Sequence, residues 1–370
     1  MSVTLPVTPP LAAEPSGVIG WQSSDPAASE REQVTMPGSE AAAASTQPPI
    51  PDLSPGTAIG RYMVLGRLGA GAMGVVYAAY DPELDRKVAL KLLHPRGHSS
   101  LDSRLRLMRE AKALARLSHP NVVAVHDVGT YAERVFLAME FVDGKTLGAW
   151  LKEQPQPWEQ VVAVMRKAGE GLAAAHVAGL VHRDFKPDNV LIARDGRVRV
   201  LDFGLARSAS ETGSVEDLGP EAAMVASVSG SRRVHAELEA AQLTRTGAMV
   251  GTPAYMSPEQ HLGRGADPRS DQFSFCVTLY QALYGVRPFA GERISGLAFQ
   301  VLQGKIGPPP AGSAVPARVR RVVLRGLSAN PDDRYDSMPA LLAALDHELG
   351  FKRRGGWYFG GGALLVVGLW

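Results

Sequence analysis

Three side chains that could share one metal ion lie within a single stretch of this sequence, residues 181–205. Asp184 and Asn189 precede two short apolar runs, and Asp202 follows the second run. Between the runs lies Asp195-Gly196, a dipeptide that favours the tight turn of a β-hairpin. Because a hairpin brings its two ends together, we expect the three oxygen-bearing side chains to converge. Such a set suits Mg²⁺, which binds a few hard protein oxygens and shares its remaining coordination sites with water and phosphate.

A glycine-rich turn between two predicted strands could cover the same region. Gly69, Gly71 and Gly74 form a GxGxxG pattern, which dinucleotide-binding turns share. A dinucleotide-binding turn requires a helix directly after the third glycine, whereas this chain continues with the β-branched and aromatic run VVYAAY. We therefore predict a strand-turn-strand flap, whose bare backbone can lie close over phosphate groups.

Lys91 and Glu110 are candidates for a buried ion pair. Lys91 ends an apolar strand, and the local pattern alone favours a lysine whose ammonium reaches out to solvent. The helix predicted over residues 101–117 places Glu110 on the same face as three leucines. Because a carboxylate on an apolar face needs a cation, we predict that Glu110 pairs with Lys91 and positions it to hold the phosphates of ATP.

A short run after a predicted strand offers backbone groups for recognising a ligand. Residues 141–144, Phe-Val-Asp-Gly, would expose the N–H and C=O groups that recognition of an adenine edge requires. Met139 would lie at the back of such a pocket. On its own, a strand that ends in Asp-Gly is more often an ordinary turn. The next predicted helix, residues 159–179, carries His176 on its flank, a position typical of a structural histidine.

The composition restricts the class of protein. With 370 residues, the chain is long enough for two lobes with substantial cores. A net charge of +2 offers no electrostatic argument for nucleic acid as a partner. The single cysteine, Cys276, excludes an intrachain disulfide and indicates a reducing compartment. The N terminus lacks a basic region followed by an apolar core, so we expect no secretory signal.

The two ends of the chain differ from its middle. Residues 1–58 are rich in Pro, Ala, Ser and Thr, which predicts a disordered extension, with a regulatory tail that carries phosphorylation sites as the alternative. Residues 351–370 carry three cations directly after Phe351 and continue as an uncharged run with aromatics, which predicts a basic flank and the start of a transmembrane helix. The run is shorter than the roughly 20 residues that a span needs, so a short hydrophobic tail and a buried helix remain alternatives.

Six motifs occur in an unbroken order along the middle of the chain. They are Gly69-x-Gly71-x-x-Gly74-x-Val76, Val88-Ala-x-Lys91, Glu110, His182-Arg-Asp-x-Lys-x-x-Asn189, Asp202-Phe-Gly204 and Ser257-Pro-Glu259. Together they resemble the eukaryotic-like serine/threonine protein kinases of bacteria. The resemblance covers residues 60–348 and implies a bilobal α+β fold. A small β-rich lobe would span about residues 60–140, and a larger helical lobe about residues 143–348.

The resemblance implies transfer of the γ-phosphoryl group of ATP to serine and threonine hydroxyls of proteins. In that reaction Asp184 accepts or orients the proton of the hydroxyl, and Lys186 contacts the transferring phosphate. Asn189 and Asp202 hold Mg²⁺, for which Mn²⁺ is an alternative. Because the transition state is loose, positioning and charge neutralisation supply most of the acceleration.

The same resemblance assigns the residues that bind the nucleotide. The backbone of Glu140 and Val142 would pair with adenine, and Met139 would lie behind it. The residues expected to cover the phosphates or to enclose the adenine ring are Gly69, Ala70, Gly71, Gly74, Val76, Ala89, Lys91 and Leu191.

The resemblance identifies residues 202–259 as an activation segment that carries an insertion over about residues 208–242. Thr244 and Thr246 match positions of autophosphorylation, although both could be ordinary loop residues. Arg183 would pair with the added phosphate and order the segment. Four further residues match positions that support the segment and the catalytic loop. These are Thr252, the pair Glu259 and Arg334, and Asp271.

Protein substrates are the expected partners, together with a second copy of the chain for phosphorylation in trans. The catalytic domain is expected in the cytoplasm, anchored at the inner membrane by a single span that residues 351–370 begin. A pseudokinase scaffold is a competing hypothesis, but such proteins usually lack Lys91, Asp184 or Asp202, and all three are present. A phosphotransferase for small molecules would lack the activation segment, whereas residues 251–259 are present.

Overall fold

Six antiparallel strands form one sheet at the start of the folded region. The computed structural model describes residues 53–71, 73–94, 101–203, 253–291 and 293–350, without the side chains of 101–104 and 106. The strands are β1 Ala58–Ile59, β2 Tyr62–Gly71, β3 Gly74–Asp81, β4 Arg86–Leu93, β5 Val125–Tyr131 and β6 Arg134–Glu140. Their order in the sheet is β1-β2-β3-β4-β6-β5. The predicted strands of this lobe are confirmed.

Helix α1, Leu101–Ala115, lies between β4 and β5 in the chain. Its buried residues Ala111 and Leu114 pack into the larger of the two hydrophobic cores, while the sheet has a second core around Tyr62, Tyr77 and Leu90. The helix therefore connects the sheet to the remainder of the molecule through apolar contacts.

Residues 140–143, from the end of β6 to the residue before Gly144, are named the hinge run, or the hinge, and a small three-stranded sheet follows them. It contains β7 Gly144–Thr146, β8 Val190–Ala193 and β9 Val198–Val200, in that order. The predicted hairpin of β8 and β9 is confirmed, with Leu191 opposite Arg199. Gly196 in its turn has a φ of 80°, a left-handed conformation that glycine adopts without a Cβ penalty. The strand β9 is also held by Asn121, whose carbonyl accepts the N–H of Val200 at 2.9 Å.

Seven helices surround or follow this small sheet in the described part of the chain. They are α2 Leu147–Glu153, α3 Trp158–Val177, α4 Pro258–His261, α5 Pro268–Tyr284, α6 Ile294–Leu302, α7 Ala317–Gly326 and α8 Met338–Glu348. Helix α5 is the centre of this lobe, because residues on every side of it are buried. It begins at a capping box formed by Asp267 and Ser270 and ends at Gly285 with a φ of 70°.

The molecule thus has the bilobal α+β architecture that the sequence predicts, with the sheet in the smaller lobe and the helices in the larger one. Within the described ranges, no helix combines the length and apolar character needed to cross a bilayer. The proposed membrane segment at residues 351–370 lies outside those ranges, as do the N-terminal extension up to residue 52, the insertion, Thr244, Thr246 and Thr252.

Candidate active site

Asp184 lies in the loop between α3 and β8, and only 7% of this residue is exposed. Nζ of Lys186 donates a hydrogen bond to its Oδ2 at 2.7 Å. Nδ2 of Asn189 donates a hydrogen bond to the main-chain carbonyl of Asp184 at 2.8 Å. The loop therefore brings three of the predicted site residues together within one turn. A carboxylate held beside a cation suits a group that must accept or orient a proton next to an anionic substrate.

Asp271, in the first turn of α5, holds this loop in place. Its Oδ2 accepts the backbone N–H of His182 and its Oδ1 accepts that of Arg183, both at 2.8 Å. A ring nitrogen of His176 lies 2.7 Å from Oδ2. Arg183 has a φ of 65°, a conformation that costs a non-glycine residue about 1–3 kcal/mol and that these bonds help to maintain. His176 is structural, as predicted, and the structure identifies Asp271 as its partner.

His182 connects the loop to the strand that leads to Asp202. Its Nε2 lies 2.7 Å from the carbonyl oxygen of Leu201, and its ring centroid lies 4.8 Å from that of Phe203. The N–H of Leu201 donates to the carbonyl of Asn189 at 2.9 Å. Asp202 then adopts a left-handed φ of 56°. The hairpin therefore brings Asn189 and Asp202 side by side, as its turn predicts.

The donor set fits a magnesium ion that shares its coordination with phosphate. Because Nδ2 of Asn189 is bonded to Asp184, the side-chain oxygen of Asn189 is the atom left for a cation. Asp202 offers a carboxylate next to it. Over the described ranges, no group of three or more His, Cys, Asp or Glu could hold a metal ion by itself. Two protein oxygens are the number that Mg²⁺ commonly takes when phosphates and water complete its shell.

Lys91 pairs with the carboxylate of Asp202, a contact that the sequence does not reveal. Its Nζ lies 2.6 Å from Oδ1 of Asp202, and the residue is 5% exposed. The ion pair of Lys91 with Glu110 stays a prediction, and Glu110 lies on α1 as expected. A buried ammonium needs one close anion, and the left-handed turn at Asp202 supplies it. Helical spacing shows which face of α1 carries Glu110, but not how near that face comes to β4.

The glycine-rich turn is a strand-turn-strand flap, because β2 and β3 pair directly across it. The paired positions are Gly69 with Val76, Ala70 with Val75, and Gly71 with Gly74. Gly74 has a φ of 154°, and a Cβ there would lie 2.2 Å from the carbonyl oxygen of Leu92. The third glycine of the motif is therefore required by close packing against β4 as well as by conformation.

The other predicted nucleotide-binding residues lie on adjacent strands. Val76 is opposite Lys91, and Ala89 is opposite Met139, which is buried. Leu191 lies on β8, in the small sheet that follows the hinge run. Val142 packs against the larger core from the hinge run itself. The residues that the sequence assigns to the adenine ring thus come from both lobes.

Glu140, at the end of β6, has a side-chain role that the sequence does not reveal. Its carboxylate accepts hydrogen bonds from Nε and Nη2 of Arg199 at 2.9 and 3.2 Å. Arg197 approaches the same carboxylate at 3.4 Å. The only sequence signal is that Arg199 stands between the apolar residues Val198 and Val200 in a predicted strand.

Glu259 and Arg334 form a buried pair, with two N–H···O bonds of 2.9 Å each. Burial by itself raises the pKa of Glu259, but the hydrogen bonds and charge of Arg334 outweigh it and hold the pKa below its ordinary value. Next to Glu259, Nε2 of Gln260 donates to the carbonyl of Arg183 at 2.9 Å. Gln260 is a second contact that the sequence does not reveal, and it connects α4 to the loop that carries Asp184.

Comparison with known proteins agrees with this geometry. The sequence model of the family described as protein kinase domain matches residues 62–342. The solved kinase domain of PknI from Mycobacterium tuberculosis superimposes with a TM-score of 0.59 and 26% identity. That superposition covers 80% of this chain and 99% of the PknI domain.

Two curated relatives are similar over most of this chain. Serine/threonine-protein kinase PknL of Mycobacterium tuberculosis is 40% identical over 293 residues, which are 77% of this chain and 65% of PknL. Serine/threonine-protein kinase Pkn1 of Myxococcus xanthus is 38% identical over 300 residues, which are 78% of this chain and 38% of Pkn1. The chain thus spans less than two thirds of the length of these relatives.

Proposed function

Because the chain belongs to the protein kinase family, we propose that it transfers the γ-phosphoryl group of ATP to serine and threonine hydroxyls of proteins in a signalling pathway. The observation that carries this proposal is the loop in which Asp184, Lys186 and Asn189 are bonded to one another. The names of the similar PknL and Pkn1 support serine and threonine as the acceptors.

Asp184 accepts or orients the proton of the acceptor hydroxyl. Lys186, bonded to Oδ2, places a positive charge where the transferring phosphoryl group must pass. The bond also restrains the rotamer of the carboxylate. The two hydrogen bonds that Asp271 accepts keep the loop in this conformation before substrate arrives, so little reorganisation is needed during transfer.

Asn189 and Asp202 would hold Mg²⁺, with Mn²⁺ as an alternative. The metal supplies positive charge that neutralises the phosphate oxygens during transfer. Lys91 would bind the phosphates from the strand β4, and its bond to Asp202 supports that role. The flap between Gly69 and Gly74 would cover the phosphates with backbone N–H groups.

The adenine ring would lie between the two lobes. Ala89 and Val76 would contact one face of the ring, and Leu191 the other. The backbone of Glu140 and Val142 would pair with its edge, and Met139 would close the back of the pocket.

Activation would follow phosphorylation of Thr244 or Thr246. The added phosphate would pair with Arg183, which is adjacent to Asp184 and directly bonded to Asp271. Thr252, Gln260 and the Glu259–Arg334 pair would then hold the segment against the catalytic loop. Phosphorylation in trans by a second copy of the chain would require transient homodimers.

The experiment that tests the activity is incubation of the purified chain with Mg²⁺, ATP and protein substrates, followed by phosphosite mapping. We expect phosphoserine and phosphothreonine, including Thr244 or Thr246, and their loss in Asp184→Asn. The matched control is Asp336→Asn, because Asp336 is 95% exposed and far from the loop in sequence. If wild-type protein transfers no phosphate, a scaffold function is favoured instead.

Residues 351–370 would anchor the protein to the inner membrane, which leaves the catalytic lobes in the cytoplasm. The support is the sequence of three cations followed by an uncharged run with aromatics. Chains with and without these residues should differ in their partition into vesicles that contain anionic lipid. Equal partition would contradict the anchor.

A further inference from the structure

A salt bridge connects the hinge to the strand that leads to the metal site. Glu140 is the last residue of β6, and Arg199 lies in β9, three positions before Asp202. Two nitrogens of the guanidinium reach the carboxylate, Nε at 2.9 Å and Nη2 at 3.2 Å. A two-point contact between an arginine and a carboxylate aligns the planes of the guanidinium and the carboxylate. It therefore restrains the relative orientation of the two groups as well as the distance between them.

This pair is much less exposed than the surface ion pairs nearby. The side chains of Arg199 and Glu140 are 12% and 21% exposed. By contrast, Arg194 and Asp143, which also connect the hinge run to the hairpin, are 83% and 65% exposed. Solvent strongly screens the Arg194–Asp143 pair. The Arg199–Glu140 pair lies in an environment of lower dielectric constant, so its electrostatic attraction is stronger. Arg197 adds a 3.4 Å contact from a half-exposed side chain, which is a minor contribution.

The pair lies at the wall of a cavity. A cavity of about 390 Å³ lies beside it, lined by Glu140, Arg199, the end of α1 and residues of the segment between α1 and β5. The hinge is bonded to that segment through the N–H of Glu140, which donates to Ala124 at 2.8 Å. The same segment reaches β9 through the N–H of Val123, which donates to Val200 at 3.0 Å. Main-chain bonds therefore connect the hinge to β9 only through that segment, whereas the Glu140–Arg199 pair connects them directly.

We propose that Glu140 and Arg199 are positioning residues, and that their salt bridge sets the hinge relative to Asp202. The inference rests on the proposed function, in which adenine binds at the hinge while phosphate and metal bind at Asp202. A nucleotide must reach both places at once, so its affinity depends on the distance between them. With the pair intact, the hinge is held at the spacing that the nucleotide requires.

Loss of the pair would therefore weaken nucleotide binding more than transfer. We expect Arg199→Gln and Glu140→Gln to raise the KM for ATP about five- to tenfold, the scale of a typical coupling between two sites. At saturating ATP, kcat should change less than about twofold, because neither side chain contacts the reacting atoms. A double variant should resemble either single variant, because one interaction is lost in all three.

A charge reversal tests the pair itself. Glu140→Arg combined with Arg199→Glu restores opposite charges, so the KM for ATP should return to within about threefold of wild type. Arg194→Gln is the matched control, since it removes an arginine from the same hairpin but breaks only an exposed pair. Its KM should equal that of wild type.

Nucleotide binding is measured alongside turnover, by calorimetry with a non-hydrolysable ATP analogue and Mg²⁺. The variants should bind the analogue five- to tenfold more weakly, and adenosine, which reaches only the hinge, within about twofold of wild type. If the analogue binds but no protein is phosphorylated, the proposed activity fails while the salt bridge is still tested. Unchanged analogue affinity in both single variants, with only a lower melting temperature, would overturn the inference.

Discussion

Nζ of Lys91 lies 2.6 Å from Oδ1 of Asp202, and this bond joins β4 of the sheet lobe to the turn after β9 in the helical lobe. It places the cation that would bind phosphate beside the carboxylate that would bind metal. A nucleotide with its metal would enter between these charges, so both groups are already positioned for binding before it arrives.

Lys91→Met should lower kcat/KM for phosphate transfer by at least about 100-fold, because a preorganised cation is lost from the phosphate site. Methionine retains much of the volume of the lysine stem, so the buried position should remain filled and the protein folded. The measurement is steady-state transfer to a protein substrate, together with the melting temperature. Lys167→Met is the control, since Lys167 makes only an exposed bond to the carbonyl of Gly196; a similar loss there would contradict a specific role for Lys91.

Glu259→Gln should lower the free energy of unfolding by about 3–5 kcal/mol, because it leaves the buried guanidinium of Arg334 without an anion. The control is Asp332→Asn, which breaks the pair of the largely exposed Asp332 with Arg269 and should cost less than about 1 kcal/mol. Urea unfolding of both variants provides the comparison. Equal losses of unfolding free energy in the two variants would show that the buried pair stabilises the fold no more than the exposed pair does.

The same pair should give the protein a pH-dependent stability. The pKa of Glu259 is lower in the folded chain than its ordinary value of 4.5, so the carboxylate stabilises the fold above that value. As pH falls below 4.5 and through the folded-state pKa, Glu259 takes up a proton and this contribution is lost. The wild type should therefore lose more stability than Glu259→Gln between about pH 6 and pH 3. Parallel pH profiles of unfolding free energy would refute this assignment.

Asp271→Asn should reduce kcat by about 10- to 100-fold while the KM for ATP changes little. The asparagine can accept only through one oxygen, so its amide would face a backbone N–H of His182 or Arg183. The loop that carries Asp184 would then lose a hydrogen bond that holds its conformation, whereas the contacts of the hinge and of the flap would be unchanged. Steady-state kinetics over a range of ATP concentrations measure both parameters. A changed KM with an unchanged kcat would contradict the prediction.

Gly326→Ala should destabilise the helical lobe by about 1–3 kcal/mol, although alanine usually favours a helix. A Cβ at this position of α7 would lie 2.2 Å from Sγ of Cys276. Burial also raises the pKa of the Cys276 thiol, which keeps it unreactive. Cys276→Ala removes the clashing sulfur, so the double variant should be more stable than the sum of the two single losses. Additive losses would place the clash elsewhere.

Much of the fold was predictable because its signals are local. The strands around Val88 and Phe136 are mostly apolar runs, and the helix over residues 159–179 repeats apolar positions at helical spacing. The hairpin at Asp195-Gly196 follows from two adjacent residues. Each of these depends on neighbours within about one turn or one strand, so no long-range information is needed.

The residue types at the site were also determined by the sequence, because phosphate transfer requires an oxygen base, metal-binding oxygens and cations in a set order. Asp184, Lys186, Asn189 and Asp202 fall within one short stretch, and the structure places the first three in direct contact. Their closeness follows from the turn that the chain makes between them.

Only the tertiary structure decided which distant charges meet. It paired Lys91 with Asp202, bonded His176 to Asp271, and joined Glu140 to Arg199. The reason is physical: an ion pair forms or fails over differences of one or two ångströms, and those depend on how whole strands and helices pack. Sequence spacing fixes the face of an element on which a residue lies, but the packing of both lobes sets the distance between faces.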